Sequence, residues 1–569
     1  MRKKPGRILV VGGVAGGASA AARIRRLDEK CEIIMFERGP HVSFSNCALP
    51  FHLSGLIPDH KDLVLMTPED FYKNYRIEAR INSEVVAIDR EKKEVRVKNL
   101  ETGEEYSEPY DKLILSPGAN PLIPPWEGLD LVNVFTIRNV ADISKLNRFI
   151  KENDCQKIAV IGGGFIGIEA AENLRLAGYE VTVVEAMPQI LRFFDYDMVQ
   201  IFQKELIDKG IDLIVGDKVK KFERNTVILE SGREIKAEAV VVAIGVVPET
   251  TLAQKAGLKI GSTGAIAVDQ NFRTSDKDIY AVGDAIEVYN SLLRTYSKLA
   301  LAGLAQKQAR AAADHIYGRV VNNTGVIGTS VIKVFDYNGA STGLTEGLIK
   351  AANMQINYDS VLIIPNDKVG IMPDSAPLFF KLIFEVPTGR VLGAQAIGKG
   401  NVDKRIDVIA TLIKLNGTLE DLKDLELCYA PSFGTAKDVV NIAALVGLNI
   451  LHGCYKQVHV HEVRKLVEEG ACIIDVRTPA EFAKGHIINT KNIPLSEIRE
   501  RLEEIPKDRP VYLYCRSGQR SYYGVMALQH LGFENVYNVS GSFLGLSFYE
   551  YYNDKSQDRK PIVTEYNFE

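Results

Sequence analysis

The sequence contains one pattern twice: a short apolar run, a glycine-rich turn, an alanine-rich stretch and a second apolar run that ends in an acid. The two copies begin at residues 8–17 and 158–167, and their second apolar runs end in Glu37 and Glu185. This order predicts strand, turn, helix and strand, the unit whose first turn binds the pyrophosphate of a dinucleotide. The repeat therefore restricts the chain to an α/β fold.

The glycines give the turn its chemistry. They allow a tight turn and a close approach of the backbone to phosphates, while the helix N-terminus offers free N–H groups and the acid takes ribose hydroxyls. The second copy has the full G-x-G-x-x-G pattern at Gly162, Gly164 and Gly167, whereas Val14 replaces the middle glycine of the first. A single glycine-rich turn is often only a turn, but two copies in the same context indicate two cofactors.

Further strand-like runs occur at residues 112–119, 240–245 and 278–285. In the last run, Asp284 follows an apolar strand and precedes a predicted helical stretch. Its carboxylate could bind a sugar-like polyol or simply cap the helix, and the spacing favours neither.

Composition excludes several classes of protein. A chain of 569 residues corresponds to roughly three to five domains. Hydrophobic and charged contents of 46% and 25% argue against disordered and fibrous proteins. The net charge of −4 argues against nucleic acid as the main partner, because nucleic-acid binding usually requires a basic surplus.

The seven cysteines are scattered and contain no C-x-x-C pair, which argues against a disulfide framework and a cysteine-rich zinc site. The basic residues at Met1–Lys4 and the apolar run after them resemble a signal peptide, but glycines and then Arg23 and Arg26 interrupt the run. No apolar segment of about 18 residues occurs. We therefore expect a cytoplasmic protein with reduced thiols and no membrane partner.

The two fingerprints and the Asp284 segment resemble the two-dinucleotide flavoprotein disulfide reductases over roughly residues 7–450. The resemblance implies FAD on the first fold, NAD(P)H on the second and a homodimer with a shared active site. It implies that Glu37 binds the FAD ribose and Asp284 the ribitol chain. A carboxylate at Glu185 favours a free 2′-hydroxyl, so we expect NADH to be preferred over NADPH. The expected cofactor contacts are Gly12, Gly13, Ala15, Gly16, Gly17, Glu37, Arg38, Ser116, Gly118, Gly283, Asp284, Gly162, Gly164, Phe165, Ile166, Gly167, Glu185 and Gly245.

Residues 43–50, S-F-S-N-C-A-L-P, distinguish among members of this superfamily. Members with a dithiol carry two cysteines near the flavin, whereas Cys47 stands alone. A lone thiolate there can hold only a mixed disulfide, a persulfide or a sulfenic acid. The segment resembles the S-F-x-N-C-G-L-P signature of coenzyme A-disulfide reductases and their polysulfide-reducing relatives, with Ala48 in place of glycine. The resemblance implies that Cys47 is catalytic; the alternative for a cysteine is a buried, inert thiol.

Two arginines on the first helical stretch point to a phosphorylated ligand. Arg23 and Arg26 are about one helical turn apart, so both could meet the phosphates of a nucleotide thiol, or both could belong to a solvated helix face. The family carries arginine at both positions, and the resemblance implies that Ser43 and Asn46 also touch the ligand. The resemblance implies that this ligand is coenzyme A, bound freely or as a mixed disulfide on Cys47.

Residues 429–437 resemble the Y-A-P-P motif of the same family. The resemblance implies that Tyr429 of the partner subunit acts as an acid or hydrogen-bond donor to the thiol, and that Lys437 of the partner subunit pairs with a ligand phosphate. A packed interface aromatic is the alternative for Tyr429. The family usually has a G-Y-Y-P stretch, where this chain has Ile371 and Met372 instead of the tyrosines. A smaller or more apolar persulfide substrate is compatible with this departure.

Residues 458–550 resemble a rhodanese domain. The matching pieces are D-V-R at 475–477, E-F at 481–482, G-H-I at 485–487, N-I-P at 492–494 and the loop of Cys515, Arg516, Ser517, Gly518, Gln519, Arg520 and Ser521. A cysteine between a buried strand and a helix has its thiolate cradled by backbone N–H groups, here with Arg516 and Arg520. This arrangement predicts attack on sulfane sulfur, which leaves a persulfide on Cys515.

A cysteine phosphatase loop is the competing interpretation of this segment. Such a loop has one more residue between its cysteine and its arginine. Four residues separate Cys515 from Arg520, and Ser521 stands where the phosphatase arginine would be. The spacing therefore favours a sulfurtransferase.

The predicted architecture is α/β, with two Rossmann-like domains, an α+β dimerisation domain and a small α/β rhodanese domain. We place FAD binding at 1–117 with 246–325, NAD(P)H binding at 118–245, the interface at 326–452 and rhodanese at 458–553. No metal is expected, because His459, His461 and His486 lack a nearby carboxylate or thiol set.

The predicted function is NAD(P)H-dependent reduction of CoA disulfide, CoA persulfide or polysulfide, coupled to sulfur transfer. One alternative is an NADH oxidase or peroxidase in which Cys47 cycles through sulfenic acid. The other is a sulfur-carrier or redox-sensing module whose flavin is only structural.

Overall fold

The computed structural model describes residues 4–568 and forms two compact units. One contains the residues up to Pro188 with Ile214–Val326, and the other contains Gln189–Leu213 with the residues from Ile327 onward. Met1–Lys3, part of the basic N-terminal segment considered above, and Glu569 lie outside the described residues. Within residues 4–568, none of the helices combines the length and the apolar composition that crossing a membrane would need.

The first dinucleotide fold begins the described chain. Its elements are β1 (Arg7–Val11), α1 (Ala15–Leu27), β2 (Glu32–Phe36), α2 (Pro68–Tyr75), β3 (Glu78–Arg80), β4 (Ser83–Asp89), β5 (Glu94–Asn99), β6 (Glu105–Pro109) and β7 (Lys112–Leu115). Strand β1 pairs in parallel with β2 and β7, and β4, β5 and β6 form an antiparallel meander. Ile8, Leu9 and Val10 are fully buried, as expected for a parallel strand covered on both faces.

The second dinucleotide fold repeats this plan. Its part of the chain contains β8 (Ala119–Pro121), β9 (Val134–Phe135), α3 (Val140–Glu152), β10 (Lys157–Ile161), α4 (Phe165–Leu176), β11 (Glu180–Glu185), α5 (Tyr196–Asp208), β12 (Asp212–Val215), β13 (Val219–Glu223), β14 (Thr226–Leu229), β15 (Glu234–Lys236) and β16 (Ala239–Val242). Strands β11, β10, β16 and β9 lie side by side in parallel. Strands β13, β14 and β15 form an antiparallel sheet.

The chain then returns to the first sheet. This segment contains β17 (Val246–Pro248), α6 (Thr251–Lys255), β18 (Ile279–Ala281), β19 (Val288–Asn290), β20 (Thr295–Ser297) and α7 (Ala302–Ile316). Strand β18 pairs with β7 and completes the order β18-β7-β1-β2-β3. The helical stretch predicted after Asp284 is only a 3-10 turn over Gly283–Ala285, because the chain passes at once into the β19–β20 hairpin.

The second unit begins with an antiparallel sheet of order β21-β22-β25-β24-β23. Its elements are β21 (Thr329–Val334), β22 (Tyr337–Gly343), α8 (Glu346–Ala351), β23 (Tyr358–Ile363), β24 (Leu378–Glu385), β25 (Val391–Gly398), α9 (Val402–Lys414), α10 (Leu419–Lys423) and α11 (Val439–Leu451). Strands β24 and β25 are buried along almost their whole length.

A parallel sheet of order β26-β30-β29-β27-β28 follows in the same unit. Its part of the chain contains β26 (Lys456–Val458), α12 (Val460–Glu468), β27 (Cys472–Asp475), α13 (Pro479–Ala483), β28 (Lys491–Asn492), β29 (Val511–Tyr514), α14 (Gln519–His530), β30 (Val536–Val539) and α15 (Ser542–Ser556). The predicted α/β class, with two dinucleotide folds, a third α+β domain and a small α/β domain, is confirmed.

Helix α5 belongs to the second unit, although it lies within the range predicted for the NAD(P)H domain. Its apolar face, including Val199 and Phe202, is fully buried. A side chain at Gly339 in β22 would come within 2.4 Å of the Phe202 ring, so the helix and the sheet are in close contact. Sequence periodicity cannot reveal this grouping, since an amphipathic helix does not specify which sheet covers it.

The same helix brings carboxylates to a buried lysine. Lys381, on β24, is 3% exposed, and its Nζ lies 2.9 Å from Asp197, 3.3 Å from Asp195 and 3.2 Å from Glu346. Against the effect of burial, Lys381 and a hydrogen bond from Ser360 lower the pKa of Glu346 to about 2. The stabilisation from this carboxylate is therefore present above its ordinary pKa of 4.5 and is lost as the pH falls towards 2.

Removing the lysine charge should destabilise the second unit. Lys381→Met leaves three carboxylates in a buried site without their cation, which should lower the free energy of unfolding by about 3–5 kcal/mol. In scanning calorimetry, the transition of this unit should shift down by about 10 °C. Lys350→Met, at an exposed position on α8, is the control and should shift it by less than about 2 °C. An unchanged transition in Lys381→Met would contradict the role given to the cluster.

Candidate active sites

The first glycine-rich turn is shaped by contacts that exclude side chains. A Cβ at Gly12 would lie 2.1 Å from the Ser116 carbonyl oxygen, and φ at Gly12 is +94°. A Cβ at Gly17 would lie 1.7 Å from the Gly12 carbonyl oxygen, and one at Gly16 would lie 2.5 Å from Ser116 Oγ. Helix α1 starts here without a side-chain cap or an acid in its first turn. Its N-terminal N–H groups are therefore left to a ligand.

The second turn has the same construction. A Cβ at Gly162 would lie 2.4 Å from the Ala243 carbonyl oxygen, and one at Gly167 would lie 2.0 Å from the Gly162 carbonyl oxygen. No atom lies within 4 Å of a Cβ built at Gly164. Helix α4 begins at Phe165, followed by Ile166, again without a side-chain cap or an acid in its first turn.

The strand-ending acids occupy equivalent positions in the two folds. Glu37 accepts hydrogen bonds from the N–H groups of Gly13 and Gly39, both at 2.8 Å. Glu185 accepts from the N–H groups of Gly163, at 2.7 Å, and Met187, at 2.8 Å. Each carboxylate is thus fixed beside the turn of its own fold, where ribose hydroxyls are expected.

A cavity of about 430 Å³ opens beside the first turn. This volume is within the range of about 300–1,000 Å³ that is usual for ligand sites. Its lining includes a large part of the first fold's predicted cofactor set, namely Gly12, Ala15, Gly16, Glu37, Arg38, Ser116, Gly118, Gly283 and Asp284. Gly245 belongs to the second fold, where it has a φ of +130°. The cavity and the side-chain-free turn fit an elongated dinucleotide.

Cys47 lies on a 3-10 helix, Asn46–His52, directly after Asn46, which lines this cavity. His52 Nε2 is 3.0 Å from Asn147 Nδ2 on α3. Ser54, just beyond the turn, donates to Asn173 Oδ1 on α4 at 2.6 Å. Contacts with two helices of the second fold therefore hold the segment that carries Cys47.

The surroundings of Cys47 are acidic. Although Cys47 is exposed, partial burial and then the charges of Glu169 and Asp284 raise the pKa of its thiol. Burial and the charge of Glu172 raise the pKa of Glu169 to about 7. Burial also raises the pKa of Asp284, against the effect of Arg138. Glu169 and Asp284 therefore keep their protons to a higher pH than exposed carboxyl groups do.

Arg138 is a site residue that the sequence did not indicate. Its Nε donates to the Ala119 carbonyl oxygen at 2.6 Å. With its amide oxygen facing the guanidinium, Asn46 accepts from Arg138 Nη1 and donates to the Arg138 carbonyl oxygen, both at 2.7 Å. Arg138 precedes α3, outside any motif, so no local pattern could have identified it. Glu169 lies beyond the second glycine motif and was missed for the same reason.

The proposed phosphate-binding arginines differ in their environments. Arg23 is 9% exposed and its Nε donates to Asp314 Oδ1 on α7 at 2.9 Å. Arg26 is exposed at the end of α1. Ser43 has a left-handed φ of 47°, and its N–H donates to the Gly13 carbonyl oxygen at 2.8 Å. The segment before Cys47 is thus anchored to the first glycine-rich turn.

The remaining residues of the predicted substrate site lie in the second unit. Tyr429 is 50% exposed on the loop between α10 and α11, and Lys437 is exposed on the same loop. Ile371 is 85% exposed in a turn between β23 and β24. The roles of Tyr429 and Lys437 remain predictions.

Cys515 forms the second candidate site, at the end of β29. It is 1% exposed, and its Sγ accepts a hydrogen bond from the Gly518 N–H at 3.2 Å. Ser521 Oγ lies 3.5 Å from Sγ, and Ser542 Oγ accepts from the Cys515 N–H at 3.2 Å. Gly518 has a left-handed φ of 104° and precedes α14. The loop therefore points a backbone donor at the sulfur from the start of a helix.

Charged side chains support this loop from both sides. Arg520 donates to the two carboxylate oxygens of Glu481, at 2.6 and 2.8 Å. Beneath the loop, the buried pair of Asp475 and Arg477 joins at 2.7 Å, and the Arg477 guanidinium lies 4.3 Å from the centre of the Phe543 ring. Gln519 donates to the Tyr523 hydroxyl at 2.9 Å. Arg516 and Ser517 complete the turn and are partly buried.

The histidines have ordinary neighbours. The His459 and His461 rings stack at 5.6 Å, and His486 stacks on Phe482 at 3.7 Å. Within residues 4–568, no cluster of three or more His, Cys, Asp or Glu side chains is arranged to hold a metal ion.

Three family models match successive parts of the chain. Residues 6–309 match the family model of pyridine nucleotide-disulphide oxidoreductases, residues 329–439 match the dimerisation domain of that family, and residues 459–547 match the rhodanese-like domain. The coenzyme A disulfide reductase of Staphylococcus aureus is 33% identical over 439 residues, which are 77% of this chain and 98% of that protein.

Two solved structures resemble almost the whole chain. Reduced Bacillus anthracis CoADR-RHD is 44% identical with a TM-score of 0.93, covering 97% of this chain and 99% of that one. An NAD-dependent persulfide reductase from A. fulgidus is 35% identical with a TM-score of 0.89, covering 94% and 99%. The resemblances drawn from the sequence are thus confirmed. The chain belongs to the pyridine nucleotide-disulphide oxidoreductase family and carries a rhodanese-like domain in addition to the dimerisation domain of that family.

Proposed function

We propose that this protein reduces CoA disulfide, CoA persulfide or polysulfide with NADH through Cys47, and transfers sulfane sulfur through Cys515. The observation that carries the proposal is the place of Cys47. It is an exposed thiol, without a second cysteine in its motif, and it directly follows Asn46, which lines the cavity beside the first glycine-rich turn. The similarity to a coenzyme A disulfide reductase and to a persulfide reductase supports this substrate class.

Family membership implies FAD and NAD(P)H, which supply hydride and electron-pair transfer when they are bound. We assign the FAD pyrophosphate to the turn at Gly12, the ribose to Glu37 and the ribitol chain to Asp284. The second turn and Glu185 would hold NADH in the same manner. The two turns have the same geometry, since each acid accepts a hydrogen bond from its own glycine-rich segment. This likeness supports the assignment of one cofactor to each turn.

The Cys47 sulfur holds the substrate covalently. With a disulfide substrate, the Cys47 thiolate attacks one sulfur, the S–S bond breaks and one thiolate leaves with the electron pair and takes a proton. Two electrons, drawn overall from NADH, then cleave the mixed disulfide and release the second thiol. With a persulfide R–S–SH, the Cys47 thiolate attacks the terminal sulfur, R–S⁻ leaves and takes a proton, and two electrons drawn overall from NADH then cleave the Cys47 persulfide and release hydrosulfide. Glu169, with its pKa near 7, can hold a proton beside this sulfur at neutral pH.

We further propose that the protein works as a homodimer with coenzyme A as a ligand. The match to the dimerisation domain supports the dimer. The exposure of Tyr429 and Lys437 on one loop is compatible with their predicted contribution to the active site of a second copy. Arg26 would then bind a phosphate of coenzyme A on the subunit that carries Cys47.

Replacing the two active thiols should separate the two activities. Cys47→Ser should lower NADH-dependent reduction of CoA disulfide and polysulfide by at least about 10³-fold, with flavin retained and sulfur transfer intact. Cys515→Ser should abolish sulfur transfer and leave NADH-dependent reduction in place. Cys454→Ser, at an exposed cysteine, should change neither. Anaerobic assays also test the oxidase alternative, because an oxidase needs oxygen or peroxide. Retained reduction in Cys47→Ser would overturn the proposal.

The Glu185 carboxylate should set the nucleotide preference. The wild-type protein should show the higher kcat/KM with NADH, because a carboxylate repels a 2′-phosphate. Glu185→Gln should raise kcat/KM for NADPH by about tenfold, since a like charge is removed from the phosphate site. Glu180→Gln, at the exposed start of the same strand, is the control. A wild-type preference for NADPH would show that the assignment is wrong.

Flavin content should depend on the first turn. Gly12→Ala places a Cβ within 2.1 Å of the Ser116 carbonyl oxygen at a φ of +94°, which should distort the turn. We expect flavin absorbance per chain in the purified protein to fall by about tenfold or more. Gly164→Ala changes the middle glycine of the second turn, where the added Cβ meets no atom within 4 Å, and should retain the flavin. Equal flavin content in both variants would argue against this position for FAD.

A further inference from the structure

The ion pair between Arg520 and Glu481 places a negative charge next to the sulfur-transfer loop. Both guanidinium–carboxylate contacts are short, at 2.6 and 2.8 Å. Hydrogen bonding to Glu481 raises the pKa of Arg520, and a hydrogen bond to Cys515 also contributes. The guanidinium of Arg520, on the loop that carries the reactive sulfur, is therefore already paired with a carboxylate.

Glu481 is fixed in this position by its own helix. It is the third residue of α13, and its Oε2 accepts from the Thr478 N–H and the Thr478 hydroxyl, both at 3.0 Å. The Thr478 hydroxyl in turn accepts from the Glu481 N–H at 3.3 Å. This reciprocal cap orients the carboxylate towards Arg520 without help from a ligand. Hydrogen bonding to Arg520 and Thr478 lowers the pKa of Glu481 to about 2, so it is charged at neutral pH.

Two donor classes place different electrostatic demands on this loop. Thiosulfate is a dianion at neutral pH, and its leaving group, sulfite, carries most of that charge. The persulfide anion of a small thiol has a single negative charge. Attack by the Cys515 thiolate on thiosulfate therefore brings three negative charges together, whereas its attack on a singly charged persulfide brings two together. A loop whose arginine already faces a carboxylate stabilises the second arrangement better than the first.

We propose that Glu481 is a specificity-determining residue that makes the Cys515 site select singly charged persulfides over thiosulfate. This inference rests on the proposed sulfurtransferase function of Cys515 and names its donor class. The Glu481 carboxylate repels both donors, and it repels the dianion thiosulfate more strongly than a singly charged persulfide.

The transfer step balances without a further reactant. The Cys515 thiolate attacks the terminal sulfur of the persulfide R–S–S⁻, and the bond between the two donor sulfurs breaks. The thiolate R–S⁻ leaves with the bonding electron pair, and Cys515 retains the terminal sulfur as a persulfide anion. With thiosulfate, the corresponding leaving group is sulfite.

Loading of Cys515 measures this selectivity directly. In the full-length, flavin-containing protein carrying Cys47→Ser, mass spectrometry of the Cys515 peptide follows the gain of one sulfur from cysteine persulfide, whose net charge is −1, or from thiosulfate. Adding Glu481→Gln should raise the ratio of thiosulfate to persulfide loading rates by about fivefold, the order expected when one charge of a partly exposed ion pair is lost. Gln retains the helix cap, because it can fill the same capping position as Glu.

Three controls separate the possible outcomes. Glu481→Asp keeps the charge and should stay near the wild-type ratio, and Glu462→Gln, a helix-capping residue of α12, should leave it unchanged. Cys515→Ser should show no loading. If Glu481→Gln changes both donors equally or changes neither, the selectivity role is overturned while the sulfurtransferase function stands. If neither donor loads the protein with Glu481 intact, the sulfurtransferase function itself fails.

Discussion

Two backbone contacts shape both dinucleotide folds. In each, the third glycine of the turn packs against the carbonyl of the first, so closely that an added Cβ would lie within 1.7 Å in one fold and 2.0 Å in the other. This approach draws the start of the helix onto the end of the strand and leaves its N–H groups without side-chain caps. The acid at the end of the next strand is then held by hydrogen bonds from the turn itself. The cavity described above opens beside the first of these turns.

The two reactive thiols have opposite surroundings. Cys47 is exposed, but partial burial and then the charges of Glu169 and Asp284 raise the pKa of its thiol. Cys515 is buried, with the Gly518 N–H aimed at its sulfur and Arg520 beside it. These surroundings suit different steps. A thiol beside groups that hold protons suits release of a protonated thiol, whereas a sulfur held by donors suits a persulfide anion that must persist between two substrates.

Much of this organisation could be predicted from the sequence, because it depends on local patterns. The two glycine motifs, their terminal acids and the loop after β29 each occupy consecutive residues, and their backbone geometry is fixed by glycine or by a strand–helix junction. The grouping of α5 with the second unit could not be predicted, since it depends on Lys381, far along the chain. Arg138 was missed as a site residue, and Glu481 was noted only as part of the rhodanese match, for a related reason. Their contacts with Asn46 and with Arg520 join distant segments and leave no periodic signal.

The arginines of α1 limit how a phosphorylated thiol can bind. Arg23 is buried and its guanidinium is already engaged by Asp314, so a phosphate there would have to share the charge with a carboxylate. Arg26, on the exposed end of the same helix, meets no such competition from Asp314. The acids near Cys47 give a polyphosphate no attraction of their own, so its affinity must come from cations some distance from the reacting sulfur. The proposed ligand coenzyme A is a long, flexible thiol that meets this condition: in the proposed complex its phosphates would bind at Arg26 while its sulfur reaches Cys47.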